Sequence, residues 1–247
     1  MSTLYEHPLN ERIRNYLKLE QLFSQANFCL QGQLKASHQV IFSALFAILD
    51  IIERTDVRGD LIKELEKLEQ NMLLWSKSPN IDNSILQANL SITLALLTQL
   101  KRSDPSWQQL KNDKFLASIK QRFALQGATS SFDLPQLKYW LSRSQQVQVD
   151  AIEGWLSQLN SISSALDLVL KCIREKAAFQ QINCDSGFYQ HSGDGLLLLR
   201  IQLPSDAHYY PSVSGNTLRY SIRFMQPCTD NGHSFLNQPI TFQLARC

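Results

Sequence analysis

Hydrophobic residues recur at helical spacing along most of the chain and at strand spacing near its end. Up to about residue 180 the apolar positions repeat with a period close to 3.6, which is typical of amphipathic helices. From Gly187 onward the apolar runs are short, alternate with polar residues, and are broken by Gly, Pro and Asn-Gly. The pattern predicts an α+β protein, with a mainly helical bundle domain over residues 1–180 followed by a small antiparallel β domain over residues 181–247.

The helical part contains a series of apolar stripes, each long enough for a bundle helix. We expect the first helix to begin at Pro8, because proline at the first helical position loses no backbone hydrogen bond. Asp82 and Asn83 are candidate N-caps for a later helix. Further helices are predicted over 40–52, 61–75, 85–100, 112–124, 134–142, 146–158 and 161–177, with short connections that favour antiparallel neighbours.

Three alternating runs, 195–203, 217–225 and 239–246, predict an antiparallel sheet with one buried face and one wet face. We expect the buried face of the second run to carry Leu218, Tyr220, Ile222 and Phe224. Its wet face then carries Arg219, Ser221 and Arg223. In the third run, the buried set is Ile240, Phe242 and Leu244.

Composition excludes several classes of protein. A formal charge of +2 is too small for a general attraction to nucleic acid. No signal peptide and no run of about 18 apolar residues is visible, so we expect a protein that is neither secreted nor membrane-spanning. The five cysteines are scattered without a C-x-x-C pair, which favours reduced thiols in the cytoplasm.

The sequence carries no catalytic signature for hydrolases, nucleotide-binding loops or zinc proteases. Ser192-Gly193-Asp194-Gly195 favours a hairpin-type turn over a phosphate cradle, and the five histidines have no metal-ligand spacing. We therefore predict a binding protein with no catalytic residues, metal or cofactor. An enzyme whose catalytic groups come together from distant positions is the alternative.

Positive charge without nearby negative charge is the remaining signal. On the first helix, Arg14 and Lys18 lie within about 60° of Gln21 and Gln25, which predicts an unpaired basic stripe. On the sheet, Arg219 and Arg223 point the same way, roughly 13 Å apart at about 3.3 Å per residue. Any one of these cations could be an ordinary surface residue, but two arginines on one strand face suit the planar grip of a carboxylate. The acidic side chains or terminus of a peptide are the expected ligand.

Other basic residues are weaker candidates. Two further basic clusters are Lys111 with Lys114 and Lys138 with Arg143. Asp113 reduces the net positive charge of the first cluster. Arg54 and Arg58 bracket Asp56, so we expect them to be partly neutralised. Nucleic acid using the same arginines is the competing ligand, and it predicts aromatic residues interleaved with the cations on the exposed sheet face. Tyr220 and Phe224 are expected to face the other way, which favours a protein partner over nucleic acid.

Five blocks in order along the chain resemble the ZapD family: EHPLNERIRNYL (6–17), SSFDLPQLKYWL (130–141), GFYQ (187–190), YPSVSG (210–215) and RYSIRFM (219–225). The resemblance implies a cytoplasmic homodimer at the mid-cell division ring. Such a protein binds the acidic carboxyl-terminal tail of FtsZ and bundles FtsZ filaments. It also implies a basic surface for that tail, built from Lys18, Lys114 and Lys138 with Arg54, Arg219 and Arg223.

Overall fold

A computed structural model describes residues 2–30, 34–76, 83–102, 106–123, 130, 132–228 and 232–247. Its helices are α1 (Glu11–Leu30), α2 (Leu34–Arg54), α3 (Val57–Trp75), α4 (Asn83–Leu100), α5 (Gln108–Asn112), α6 (Lys114–Phe123), α7 (Pro135–Leu141), α8 (Gln145–Ser157) and α9 (Asn160–Glu175). Its strands are β1 (Ser2–Pro8), β2 (Gln180–Cys184), β3 (Phe188–Ser192), β4 (Leu198–Pro204), β5 (Tyr210–Gly215), β6 (Arg219–Cys228), β7 (Gly232–Phe235) and β8 (Ile240–Arg246). This order confirms the predicted α+β class, in which a helical part precedes antiparallel sheets.

The predicted start of the first helix at Pro8 is wrong. Pro8 ends strand β1 opposite Leu198, and the helix begins at Glu11. Asn10 caps it, since its side-chain oxygen accepts the Ile13 backbone N–H at 2.8 Å. The predicted cap at Asp82 lies outside the described residues, and Asn83 is already helical. The predicted helix over 112–124 is divided at Asp113, whose carboxylate accepts the Leu116 N–H at 2.9 Å and so caps α6.

Two compact units are built from different parts of the chain: Met1–Leu17 with Leu170–Cys247, and Lys18–Val169. We call them the β unit and the helical unit. Both boundaries fall within helices, α1 and α9. The division at residue 180 that the sequence suggested stays a prediction.

The β unit contains two antiparallel sheets. The first sheet has the order β1-β4-β8-β2, and the second has the order β3-β6-β5 with β7 also paired to β6. Ser192–Gly195 is a turn, with Asp194 and Gly195 at positive φ, but the hairpin expected there is wrong because β3 and β4 belong to different sheets. Strands β1, β2, β3, β5 and β7 were not predicted from the sequence.

One apolar core is shared by the two sheets. Tyr220, Ile222 and Phe224 of β6 are buried as predicted, and so are Ile240, Phe242 and Leu244 of β8. The Phe224 and Phe242 rings lie 5.0 Å apart between centroids and join the sheets. Leu218 does not join this face as predicted; it precedes β6 and is exposed.

A charged cluster in the β unit joins β1, β4 and α9. Arg174 grips the Glu6 carboxylate with two bonds, from Nε at 2.9 Å and from Nη2 at 2.6 Å. Arg200, opposite Glu6 in the β1–β4 ladder, donates to the same carboxylate at 3.0 Å and to the Arg174 carbonyl at 3.2 Å. These three side chains are mostly buried. The Glu6 carboxylate therefore partly neutralises two guanidinium groups that are poorly hydrated.

Aromatic rings form the centre of the helical unit. Phe42 of α2 is fully buried and lies 5.5–6.4 Å between centroids from five other rings. Those rings belong to Phe46, Phe115, Phe123, Trp140 and Trp155. Because they come from α2, α6, α7 and α8, Phe42 ties four helices together.

Candidate functional site

The outer face of the second sheet carries the two arginines that the sequence pattern singled out. Arg219 and Arg223 are exposed on β6, while the residues that alternate with them are buried. The turn before β6 fixes their position: the Asn216 side-chain oxygen accepts the Leu218 N–H at 2.9 Å and the Arg219 N–H at 3.2 Å. The predicted placement of both arginines on the exposed face is therefore confirmed.

Arg223 lies between two phenylalanine rings. Its guanidinium carbon is 5.2 Å from the centroid of Phe188 and 4.5 Å from that of Phe235. Strand register explains this arrangement, since β3 and β7 follow one another along the same edge of β6, with Phe188 opposite Arg223 and Phe235 opposite Met225. Cation–π contact with the rings restrains a side chain that would otherwise be mobile. Tyr210 of β5, also opposite Met225, adds a third half-exposed ring on this face.

Arg219 borders a polar depression of about 560 Å³. Gln190, Ser214, Asn216 and Ser221 line it together with the β5–β6 turn. Gly215 lets the two strands approach there, because a Cβ at this position would lie 2.5 Å from the Cα of Tyr220. Burial, with a smaller effect of Tyr189, raises the pKa of Tyr220 to about 12, so the phenol below the depression stays neutral. The depression therefore offers amide and hydroxyl groups around a single cation.

The outer surface of this sheet is formed by seven residues, of which Ser221 is half-buried and the rest are exposed. We call them the arginine face: Phe188, Gln190, Tyr210, Arg219, Ser221, Arg223 and Phe235. It combines two guanidinium forks with apolar rings beside one of them. A fork can hold a carboxylate with two parallel bonds, and a neighbouring ring can contact an apolar side chain of the same ligand. The geometry suits an extended peptide that has both acidic and apolar residues.

Comparison with known proteins gives the family. The model of the ZapD family, described as a cell division protein, matches residues 17–223. The cell division protein ZapD of Idiomarina loihiensis is 38% identical over 99% of this chain and 96% of the relative. The chain belongs to the ZapD family. The resemblance predicted from five sequence blocks is confirmed, and the chain is assigned a role in cell division. The region that matches the ZapD model includes both arginines of the arginine face but not Arg14.

Arg14 is not unpaired as predicted. Its Nε lies 3.2 Å from the carboxylate of Glu11, three residues earlier on α1. Both side chains are well exposed, so this pair is weak and Arg14 can still exchange partners. Lys18, the other cation of the predicted stripe, is exposed on α1 within the helical unit.

The other cations suggested by the ZapD resemblance lie in the helical unit. Arg54 is exposed in the last turn of α2, Lys114 at the first residue of α6, and Lys138 on α7. They belong to three different helices, and their assignment to one surface stays a prediction.

The neighbours of these cations differ from the expectation. Lys111 pairs with Glu53 at 3.2 Å rather than with Asp113, whose carboxylate caps α6. Asp56 caps α3 at Gly59, and Arg58 instead donates to the carbonyl groups of Leu100 and Arg102. Arg58 is thus a structural residue that holds α3 to the end of α4.

The aromatic residues of the arginine face were missed by sequence reasoning. Phe188, Tyr210 and Phe235 lie in β3, β5 and β7, three strands that were not predicted. Tyr220 and Phe224 face the core as predicted, but neighbouring strands place other aromatic residues on the exposed face. The signal that could have found them is the pairing register, which places side chains of neighbouring strands on one face.

Within the ranges that the structure covers, no three His, Cys, Asp or Glu residues are grouped to hold a metal ion. None of the helices traced there combines the length and apolar content needed to cross a bilayer.

Proposed function

We propose that this ZapD-family protein binds the acidic carboxyl-terminal tail of FtsZ through the arginine face and cross-links FtsZ filaments as a homodimer. It acts in the cytoplasm at the mid-cell division ring, without catalysis or a cofactor. The observation that carries the proposal is the pair of exposed arginines, Arg219 and Arg223, on strand β6. The chain that carries them belongs to a family of cell division proteins.

Recognition follows from the chemistry of that face. The Arg223 guanidinium, restrained between Phe188 and Phe235, receives a carboxylate of the tail with two bonds. An apolar side chain of the tail rests on the same rings. Arg219 and the polar depression beside it then take a second acidic residue and the peptide amides. Lys18, Lys114 and Lys138 are further tail contacts in the helical unit, as the family resemblance suggests.

Bundling follows from valency. A two-fold dimer has two equivalent tail sites, and a filament offers one tail on every subunit. Each contact can be weak, because a second engagement occurs at a high effective concentration once the first has formed. Cross-linking requires no chemical step.

Reversing both charges on the arginine face should abolish most tail binding. We expect Arg219→Glu with Arg223→Glu to weaken binding of a labelled FtsZ tail peptide about 100-fold, at about tenfold for each charged hydrogen-bonding partner lost. Both side chains are exposed, so the fold should be unchanged. Fluorescence anisotropy measures the affinity, and co-sedimentation with full-length and tail-deleted FtsZ measures bundling.

A matched control separates this site from general electrostatics. Lys171→Glu with Lys176→Glu makes the same change, since each replacement alters the charge by −2 and the formal total moves from +2 to −2. Both lysines are exposed in the β unit and lie outside β6. The control should bind within about threefold of the original protein. If both double variants lost the same amount of tail-peptide affinity, or if neither lost any, the arginine face would be rejected as the tail site.

Raising the salt concentration should weaken tail binding. The Debye length falls from about 10 Å at 0.1 M to about 3 Å at 1 M, so exposed charge pairs are strongly screened. We expect peptide affinity to drop about tenfold over this range, with part of the affinity retained through the apolar rings. A salt titration by anisotropy checks this, and an affinity that does not respond to salt would contradict the ionic mechanism.

Nucleic acid is a second candidate ligand, because three aromatic rings accompany the arginines on the exposed sheet face. Arg223 already lies over Phe188 and Phe235, which reduces the ring surface left for base stacking. Competition between the tail peptide and single-stranded DNA distinguishes the two. Tight DNA binding that displaces the peptide would favour the second candidate.

A further inference from the structure

A cavity of about 340 Å³ is formed in the helical unit, where the ends of several helices meet. Its walls come from the starts of α3, α5 and α9 and from the ends of α4 and α8. The volume falls within the range of about 300–1,000 Å³ that is typical of small-molecule sites. Two of the described residues that line it, Arg58 and Arg102, are cations, and none of those residues is acidic. The cavity therefore favours an anionic ligand.

Arg58 is held in a fixed orientation at the wall of the cavity. Its Nε donates to the Leu100 carbonyl at 2.6 Å and its Nη2 donates to the Arg102 carbonyl at 2.5 Å. These bonds satisfy carbonyl groups at the carboxyl end of α4, which the helix itself leaves without partners. The Nη1 group of Arg58 has no acceptor among the residues that the structure describes. Arg58 is half-buried, so a guanidinium edge is already oriented before a ligand binds.

Two further donors on the cavity wall have no partner in the described part of the chain. One is the guanidinium of Arg102, which is exposed and forms no ion pair there. The other is the hydroxyl of Ser161, the second residue of α9, which is half-buried. By contrast, the hydroxyls of Ser106 and Ser157 already donate to backbone carbonyl groups. The donors left for a ligand are thus two guanidinium groups and one hydroxyl.

We propose that this cavity binds a small organic phosphate, whose phosphoryl group is held by Arg58, Arg102 and Ser161. A phosphoryl group presents three acceptor oxygens, which matches donors on three separate side chains. A carboxylate presents two oxygens in one plane, and a single guanidinium fork satisfies it. The arrangement of the cavity therefore suits phosphate better than carboxylate.

The remainder of the cavity suits the organic part of such a ligand. A phosphate ion alone would occupy only a small part of the 340 Å³. Amide side chains that can bind the hydroxyl groups of a sugar line the rest: Gln99, Gln109 and Asn160. The ring of Trp107 adds an apolar wall. A sugar phosphate or a mononucleotide is the expected class of ligand. All of these residues belong to the helical unit, whereas the arginine face belongs to the β unit, so this inference does not depend on the proposed function.

Isothermal titration calorimetry of the full chain with AMP and glycerol phosphate tests the site, and adenosine and glycerol serve as the probes without phosphate. We expect AMP to bind with a dissociation constant of about 1 mM or lower, and adenosine to give no binding over the same range. Arg102→Gln should weaken AMP binding about tenfold, the usual effect of losing one charged hydrogen-bonding partner. Because the Arg102 side chain has no partner among the described residues, the variant should fold normally, which circular dichroism checks.

Lys171→Gln is the matched control, since it removes one positive charge from an exposed position in the β unit. Its affinity for AMP should stay within about twofold of the original protein. Ser161→Ala changes no charge and should still weaken AMP binding about fivefold through the lost hydroxyl. The site would be overturned if neither phosphorylated probe bound, if adenosine bound as tightly as AMP, or if Arg102→Gln and Lys171→Gln lost the same amount of affinity.

Discussion

Phe42→Ala is expected to lower the free energy of unfolding of the helical unit by about 3–5 kcal/mol, the usual cost of removing a buried phenylalanine ring. Phe42 is fully buried and touches five rings from four helices, so the cavity cannot close by moving one neighbour. All four tryptophans fall between Lys18 and Val169. Urea unfolding followed by tryptophan fluorescence therefore reports this unit directly.

Phe28→Ala provides the control for Phe42. Phe28 has the same side chain but is 76% exposed on α1, so its removal should cost less than about 0.5 kcal/mol. If Phe42→Ala prevents folding altogether, Phe42→Leu should leave a folded protein with a loss of roughly 1–2 kcal/mol. Equal stabilities for the Phe42→Ala and Phe28→Ala proteins would show that the aromatic cluster does not hold these helices together.

Glu6→Gln is expected to destabilise the β unit by about 2–3 kcal/mol, less than the roughly 3–5 kcal/mol of a fully buried pair because water still reaches part of the cluster. The substitution keeps the shape of the side chain but leaves Arg174 and Arg200 facing each other without a carboxylate. Hydrogen exchange measured by mass spectrometry should show faster exchange of amides in β1 and β4, which the cluster joins to α9.

Glu11→Gln tests the same chemistry at the surface. Glu11 pairs with Arg14 at 3.2 Å, but its side chain is 73% exposed, so the loss should stay below about 0.5 kcal/mol. Similar exchange rates in the two variants would mean that the Glu6 cluster contributes no more than an ordinary surface pair.

Periodicity predicted the parts of the fold in which burial alternates regularly. Tyr220, Ile222 and Phe224 alternate with exposed arginines, and that pattern gave both the strand and its faces. Strand β1 was missed for a physical reason. STLYEHP has little alternation, and the burial of Glu6 depends on Arg174 and Arg200, which are far away in sequence. Its pairing is decided by tertiary contacts rather than by local preference.

The candidate site was half predictable. Two arginines at i and i+4 on a strand must share a face, so their sequence spacing was sufficient. The rings beside Arg223 depend on β3 and β7, which were not predicted and which pair with the same edge of β6. The positive charge of the site could be predicted from the sequence of β6 alone. Its aromatic residues come together only when β3 and β7 pair with β6.

The pairing of β1 with β4 also determines when the β unit can form during synthesis. Pro8 lies opposite Leu198, so β1 leaves the ribosome about 190 residues before its partner strand is made. At translation rates of about 5–20 residues per second, the delay is roughly 10–40 seconds. Helices α2 to α8 can fold within that interval. During it the Glu6 carboxylate stays hydrated, because Arg174 and Arg200 have not yet been made. The nascent chain thus carries β1 as an unpaired strand until β4 is made, and the β unit is complete only after β8 has followed.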